Sequence, residues 1–217
     1  VMAARASRLA PRGSQPITGV ILAGGKSRRM GEDKRFLHVG EATLLDRTVS
    51  VMAMLFPEVL IVIAQDSPPL TVSGCTVYRD LIADRGSLGG LYTGLVQARN
   101  ERIFVTACDM PFLNPDMIRW FVARDCSADI VMAQLPDGLQ PLHAVYGKKV
   151  VPVLERMALS HELKIRNVAS DPSLRVIVVS PSEWGERDPH AQSFRNVNTP
   201  ADLEAARAVL RKQAQTQ

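Results

Sequence analysis

The segment LAGGKSRRMGEDK, from Leu22 to Lys34, decides how the rest of this 217-residue chain is interpreted. It follows a short apolar run, opens with two glycines and then carries three basic residues before Lys34. Where a strand passes into a loop, backbone N–H groups are free to face an anion. Gly24 and Gly25 allow a close approach that a β-carbon would block. The segment therefore predicts a loop that holds the phosphates of a nucleotide, with Lys34 reaching back to them.

Two other phosphate-binding patterns are absent from this segment. It contains neither G-x-G-x-x-G nor G-x-x-x-x-G-K-[ST], which argues against a dinucleotide-dependent dehydrogenase and against a P-loop kinase. Its glycines and charges, taken alone, also fit a solvated turn with ordinary surface arginines. The choice between these two interpretations depends on the rest of the chain.

Outside this segment, strand patterns alternate with helix patterns. Apolar β-branched runs predict strands, and apolar residues at helical spacing predict helices. Thr199 and Pro200 mark the start of the last helix as its N-cap and first helical residue. The order predicts an α/β fold with a Rossmann-like, mostly parallel sheet flanked by helices, and ligands at the carboxyl ends of the strands. The predicted strands are 17–22, 59–64, 102–107, 129–133, 140–147 and 174–179, and the predicted helices are 43–55, 88–99, 115–125, 148–159 and 199–213.

The domain organisation follows from composition. Residues 17–217 are predicted to form a single domain, because no internal repeat and no linker-like stretch divides them. Residues 1–16 contain no acid and are rich in Arg, Ala and Ser, so we interpret them as a flexible leader or a cloning remnant, with a transit peptide as the alternative. Without the three arginines of this leader, the formal net charge falls from +4 to +1. The charge therefore gives little support for a nucleic-acid partner.

Cysteine usage and hydropathy limit the cellular location. Cys75, Cys108 and Cys126 are odd in number and lack metal-ligand spacing, and no secretory signal is recognisable. This pattern favours a reducing compartment. No apolar run approaches the roughly 18 residues that a membrane span needs. We expect a cytoplasmic protein without a membrane partner.

Two further segments place an acid next to a predicted strand or turn. RDLIADRGSLGGLYTGL, residues 79–95, has Asp80 ahead of a glycine-rich turn, and VTACDMPFL, residues 105–113, has Asp109 directly after a buried strand. Magnesium prefers carboxylate and phosphate oxygens, so Asp109 is a candidate metal ligand at the edge where phosphates bind. As alternatives, Asp109 caps the helix that begins near Pro115, and Asp80 is a helix cap or a solvated loop acid.

Two weaker segments are LQPLHAVY, residues 139–146, and NVNTPADL, residues 196–203. In the second, Asn196 and Asn198 could bind substrate or metal-bound water, or could only order the loop before the last helix. The four histidines lack ligand spacing, which argues against zinc catalysis. Cys108 is predicted to be a small buried residue, because no histidine is identifiably placed to activate it. Trp120 is predicted to be a core residue.

Together these segments resemble the molybdenum cofactor guanylyltransferases, whose signature L-A-G-G-x-S-x-R-M-G-x-D-K matches residues 22–34. The resemblance runs from Ile17 to the final helix. It implies the fold of the nucleotide-diphospho-sugar transferases and an enzyme that transfers GMP from GTP to molybdopterin, releasing pyrophosphate and forming the guanine dinucleotide form of the cofactor. It also implies Mg²⁺ as a cofactor, GTP and molybdopterin as substrates, and transient contact with other proteins of molybdenum cofactor biosynthesis.

The same resemblance assigns roles to individual residues. Lys34, Asp109 and Arg29 are the predicted catalytic group, with Asp109 as the Mg²⁺ ligand and the phosphates held by Lys34 and by Arg28 or Arg29. Backbone amides of residues 22–25 are expected to hold the nucleotide. The predicted nucleotide-binding residues are Leu22, Ala23, Gly24, Gly25, Lys34, Ile63, Asp80 and Asp109. Two positions depart from the family pattern: Ser87 replaces the proline of the turn G-P-L-x-G, and Ile63 stands where some relatives have asparagine.

Three other functions stay open at this point. Gly24 disfavours cytidylyl transfer to the same cofactor, since we expect glycine there to let a purine approach the loop and alanine to intrude by one methyl. The resemblance places the segment 139–146 on the pterin side of the cleft, and this segment and the Asp33-Lys34 ending of the first segment disfavour a sugar-1-phosphate nucleotidyltransferase. The intact set of Lys34, Asp80 and Asp109 disfavours a non-catalytic, nucleotide-binding regulator.

Overall fold

The structure is a computed structural model that describes residues 16–24 and 33–215. The predictions for the leader, for Gly25 and for Arg28 and Arg29 concern residues outside these ranges. The strands are β1 Ile17–Leu22, β2 His38–Val39, β3 Ala42–Thr43, β4 Glu58–Ile63, β5 Thr76–Arg79, β6 Arg102–Ala107, β7 Ile130–Leu135, β8 Gly138–Gly147 and β9 Val176–Val179. The helices are α1 Leu44–Leu55, α2 Gly86–Gln97, α3 Pro115–Val122, α4 Val151–Leu159, α5 Pro181–Trp184 and α6 Pro200–Gln215.

A seven-stranded sheet with the order β5-β4-β1-β6-β8-β7-β9 forms the centre of the fold. Strands β5, β4, β1 and β6 are parallel to one another. Strand β8 runs antiparallel to both β6 and β7, and β9 is parallel to β7. The prediction of a mostly parallel sheet flanked by helices is confirmed.

Helices cover both faces of the sheet because successive side chains of a buried strand point to opposite faces. In β1, Ile21 packs in the same cluster as Met52 of α1 and Phe121 of α3. Its neighbour Leu22 packs in the opposite cluster with Leu91 of α2, which also contains residues of α4. Full burial of each such side chain stabilises the fold by about 1.5–3 kcal/mol.

A third, smaller cluster brings the end of the chain next to the parallel strands. Val39 of the β2–β3 hairpin and Leu44 of α1 pack against Val197 and against Leu203 and Ala206 of α6. This packing fixes the segment that precedes α6, residues 196–199, beside the loop that follows β6.

Most predicted elements lie where the sequence placed them, and the differences have local causes. Strands β1 and β6 have the predicted bounds. The predicted helix 148–159 begins as a 3-10 turn at residues 148–150 and becomes α4 only at Val151. Strand β5 was not predicted, because it is a four-residue edge strand in which no side chain is fully buried. No helix among the described residues is long and apolar enough to cross a membrane.

Candidate active site

Four parallel strands end along one edge of the sheet, and the predicted site residues follow them directly. Gly24 comes just after β1, Asp80 follows β5, and Asp109 follows β6. The chain places β4 and β5 on one side of β1 and β6 on the other, and such a switch point opens a crevice for ligands. With strands about 4.8 Å apart, the ends of β5 and β6 are separated by about 14 Å.

Among the described residues, the larger of two cavities at this edge has a volume of about 490 Å³. It lies between the ends of β1, β4 and β5 and the first turns of α2. Gly86 and Ser87, in the first turn of α2, line this cavity, and no side chain caps the N-terminus of that helix. The lining residues are Leu22, Gly24, Val62, Ile63, Ala64, Gln65, Asp66, Asp80, Ala83, Asp84, Gly86, Ser87 and Gly90.

The smaller cavity, of about 260 Å³, lies beyond Gly24 at the ends of β1 and β6. Leu22, Gly24 and Ser87 line both cavities, so the two adjoin and form one groove across the sheet edge. The other residues lining the smaller cavity are Ala23, Lys34, Ala107, Cys108, Asp109, Leu142, Asn196 and Asn198.

Lys34 and Asp109 meet in the smaller cavity. The ammonium Nζ of Lys34 lies 3.6 Å from Oδ2 of Asp109 and donates a hydrogen bond of 2.9 Å to Oδ1 of Asn198. Lys34 begins a 3-10 turn whose cap is Asp33, and the carboxylate of Asp33 accepts from the backbone N–H of Arg35. The structure thus brings together a lysine and an aspartate that are 75 residues apart in the chain.

The environment of Asp109 suits a cation. Its side chain is only 17% exposed, and burial raises the pKa of the carboxyl group, while the charge of Lys34 acts in the opposite direction. Oδ1 also accepts a 3.3 Å hydrogen bond from the amide of Asn196. Within residues 16–24 and 33–215, no group of three or more His, Cys, Asp and Glu residues could hold a metal. A single carboxylate joined by substrate phosphates is a donor set that fits Mg²⁺.

Asn196 and Asn198, whose roles the sequence left open, both reach the site. The N–H of Val197 between them donates to the carbonyl of Asp109 at 2.8 Å. Asp202, in the first turn of α6, accepts from the N–H groups of Asn198 and Thr199. The loop is therefore ordered by the cap of α6, and its two amide side chains contact Asp109 and Lys34.

The helix-cap alternatives for the two candidate acids are wrong. The cap of α3 is Asn114, whose Oδ1 accepts from the N–H groups of Asp116 and Met117, and the cap of α2 is Arg85. Asp80 instead lines the larger cavity, and burial raises the pKa of its carboxyl group.

In the loop that follows β1, the structure differs from the sequence-based expectation at Ala23 and at Gly24. The N–H of Ala23 donates to the carbonyl of Val62 at 2.8 Å, so this amide continues the sheet and does not serve a ligand. A β-carbon on Gly24 would lie 2.9 Å from the backbone N of Ala64. The end of the neighbouring strand therefore requires glycine at this position.

Neither Ile63 nor Cys108 offers a polar side chain to the site. The Ile63 side chain is buried in the core, so it supplies no amide of the kind that an asparagine would offer. Cys108 is buried as predicted, and burial raises the pKa of its thiol to about 12. Its backbone N–H bonds the carbonyl of Leu22, which ties the ends of β6 and β1 together.

Comparison with known proteins identifies the family of this chain by sequence. Residues 19–176 match the family described as MobA-like NTP transferase domain. A probable molybdenum cofactor guanylyltransferase from Pelotomaculum thermopropionicum is 37% identical over 192 residues, covering 88% of this chain and 92% of that protein. A molybdenum cofactor guanylyltransferase from Desulfosudis oleivorans is 34% identical and covers 90% of this chain and 96% of its own length.

Among solved structures, molybdopterin-guanine dinucleotide biosynthesis protein A from Archaeoglobus fulgidus has the same fold. The TM-score is 0.78 at 24% sequence identity, and the alignment covers 90% of this chain and all of that one.

Proposed function

Because this chain belongs to the family of MobA-like NTP transferase domains and, within it, to the molybdenum cofactor guanylyltransferases, we propose that it transfers GMP from GTP to molybdopterin. The reaction releases pyrophosphate and forms the guanine dinucleotide form of the molybdenum cofactor. The observation that carries this proposal is the groove at the sheet edge, with Asp80 at one end and Lys34 beside Asp109 at the other.

The charges of the two cavities orient the nucleotide. The described lining of the larger cavity contains Asp66, Asp80 and Asp84 and no basic side chain, which suits a base and ribose with N–H and O–H donors and would repel a triphosphate. Lys34 supplies positive charge in the smaller cavity. We therefore place the guanosine in the larger cavity and the phosphates over Gly24 in the smaller one.

The chain's own groups can perform the transfer by positioning and electrostatics. A terminal phosphate oxygen of molybdopterin attacks the α-phosphorus of GTP, and the bond from this phosphorus to the bridging oxygen of the β-phosphate breaks. The electron pair leaves with pyrophosphate, so no oxidant or reductant is needed. Lys34 offsets charge on the phosphates, and the amide side chains of Asn196 and Asn198 hold Asp109 and Lys34 in place.

Asp109 is the residue that would hold Mg²⁺. The ion, when bound, would supply Lewis-acid and template chemistry to the phosphates of the substrates. The partial burial of Asp109 strengthens this role, because charges interact more strongly where water is excluded.

Equilibrium binding tests the nucleotide part of the proposal. Titrations of GTP, CTP and ATP into the purified chain, each with and without Mg²⁺, should give the tightest binding for GTP and weaker binding when Mg²⁺ is removed. A preference for CTP would favour cytidylyl transfer, and equal binding of all three would remove the base selectivity on which the guanylyl assignment depends.

A further inference from the structure

Thr93 is a fully buried polar residue in the middle of the glycine-rich helix α2. Its side chain is fully buried, and a buried hydroxyl costs free energy unless it is hydrogen-bonded. Threonine is also a weaker helix former than alanine or leucine, so helix propensity gives no reason for it here. The partners of this hydroxyl explain its presence.

The Thr93 hydroxyl links two points of the loop that follows β5. The backbone N–H of Leu81 donates to Oγ1 of Thr93 at 2.9 Å, and the hydroxyl donates in turn to Oδ1 of Asp80, also at 2.9 Å. The N–H of Ile82 donates to the same carboxylate oxygen at 3.4 Å. The bonds from Thr93 and from Ile82 both reach Oδ1, and Asp80 lines the larger cavity.

Gly89, one helical turn before Thr93, brings the carboxylate against the helix. A β-carbon at Gly89 would lie 2.8 Å from Oδ2 and 2.9 Å from Oδ1 of Asp80. Residues four apart share one face of a helix, so Gly89 and Thr93 together form a seat for this side chain. We call these two residues the carboxylate seat.

We propose that Thr93 is a positioning residue that holds Asp80 in the orientation in which it binds the nucleoside part of GTP. The inference rests on the proposed function, since it assigns a role within the same site. Thr93 contacts neither cavity itself and acts through Asp80. Burial raises the pKa of the Asp80 carboxyl group and the Thr93 hydroxyl opposes that shift, so the same bond also favours the charged form.

Because the seat lies at the guanosine end of the groove, its loss should affect the nucleoside and not the phosphates. Thr93→Val removes the hydroxyl and keeps the shape of the side chain. We expect the dissociation constant of Mg²⁺-GTP and the KM for GTP to rise about tenfold, the scale of one hydrogen bond to a charged group. Binding of pyrophosphate, which needs only the Lys34 end, and kcat at saturating GTP should stay close to the wild type.

Three further variants separate positioning from simple stabilisation. Thr93→Ser keeps the hydroxyl and should restore GTP binding. Thr93→Val added to Asp80→Asn should cause no loss beyond that of Asp80→Asn alone. Thr18→Val is the matched control: its buried hydroxyl also donates to a carboxylate, that of Glu58, and accepts from Asn100, but it lies at the opposite end of the sheet. It should leave the KM for GTP unchanged.

Several results would overturn the inference. These are wild-type GTP binding in Thr93→Val, equal weakening in Thr93→Val and Thr93→Ser, or an equal loss of pyrophosphate binding. Should Thr93→Val fail to fold, Thr93→Ala removes the same hydroxyl without placing a second methyl beside the carboxylate and is judged by the same outcomes. A wild-type protein that does not bind GTP at all would instead refute the proposed function.

Discussion

Asp109 combines partial burial with a neighbouring cation, and each has a consequence for its chemistry. Burial raises the pKa of the carboxyl group, whereas Lys34 at 3.6 Å favours the charged form. A carboxylate in this balance gains from a second cation, and a Mg²⁺ ion would supply that positive charge. Removing the charge of Asp109 therefore tests whether this residue binds the metal.

Asp109→Asn keeps the shape of the side chain and removes its charge. We expect turnover to fall at least about tenfold, because a lost charge-stabilising group is worth a few kcal/mol in the transition state. Initial rates of GMP transfer measure the effect, and an unchanged melting temperature shows that the fold is intact.

Asp129→Asn is a close control for this variant. Asp129 is also largely buried and also has a lysine, Lys149, at 3.6 Å, but it lies away from both cavities. It should keep the wild-type rate. If Asp109→Asn were as active as Asp129→Asn, Asp109 would not be the metal ligand.

The second prediction concerns Gly24. The sequence suggested that an alanine here would disturb only the approach of the base, and the structure shows a clash with the backbone as well. A methyl group at this position would meet the backbone N of Ala64 at 2.9 Å, so Gly24→Ala must displace the loop. Such overpacking costs about 1–3 kcal/mol, and we expect kcat/KM for GTP and for CTP to fall together. Gly147→Ala, where the nearest atom would be 3.6 Å away, is the control. If Gly24→Ala lowered kcat/KM for GTP and raised it for CTP, the result would contradict this prediction and would support direct contact between Gly24 and the base.

At the scale of elements, the sequence predicted well what depends on local pattern. Strands β1 and β6 are buried on both faces, and their continuous apolar runs gave the correct bounds. Asp109 was placed at the sheet edge because it directly follows such a run. The hairpin of β2 and β3 was not predicted, since two-residue strands carry no periodicity.

Contacts between elements could not be predicted in the same way. The bond from Thr93 to Asp80 depends on the register of α2 over the end of β5, and β5 itself was not recognised. The contact between Asn198 and Lys34 joins residues 164 positions apart through the packing of α6. In both cases the sequence showed the residue types, and tertiary packing decided their partners.

The cap of α6 is an element with a direct link to the site. Thr199 accepts from the N–H of Asp202, and Asp202 accepts from the N–H groups of Thr199 and Asn198. Thr199→Ala should lower the free energy of unfolding by about 1 kcal/mol. It should also lower kcat/KM, because Asp202 loses a bond that fixes it, and Asp202 holds the N–H of Asn198, which lies beside Lys34.

Thr43→Ala is the control for this prediction, since Thr43 and Asp46 form the same capping box at α1. Denaturant unfolding should show similar losses of stability for both variants, with a loss of kcat/KM only for Thr199→Ala. Equal kcat/KM values in the two variants would show that the α6 cap does not order the site.

At the scale of the whole molecule, His143 couples stability to pH. Its ring lies within about 5 Å of the rings of Phe104, Phe121 and Phe194, measured between centroids, and among the described residues neither ring nitrogen has a hydrogen-bond partner. Burial lowers the pKa of His143 to about 4, and the charge of Asp188 opposes this only in part. The folded protein therefore keeps this histidine neutral.

The unfolded chain binds a proton at His143 below a pH of about 6.5, whereas the folded chain does so only near 4. Above this pH range His143 is neutral in both states. Within the range, the free energy of unfolding falls as the pH falls, by up to about 1.4 kcal/mol per pH unit. His143→Phe should flatten this slope, which denaturant unfolding between pH 7 and pH 4 measures. Parallel slopes for the two proteins would mean that His143 is protonated equally in both states.

The central claim concerns the reaction catalysed by the groove as a whole. The direct measurement is a transfer assay with purified protein, molybdopterin, Mg²⁺ and GTP labelled at the α-phosphate, run beside an identical assay with labelled CTP. The account predicts that label from GTP appears in the guanine dinucleotide form of the cofactor, with one pyrophosphate released for each product, and that CTP reacts more slowly. Release of pyrophosphate without labelled cofactor, or faster transfer from CTP, would contradict it.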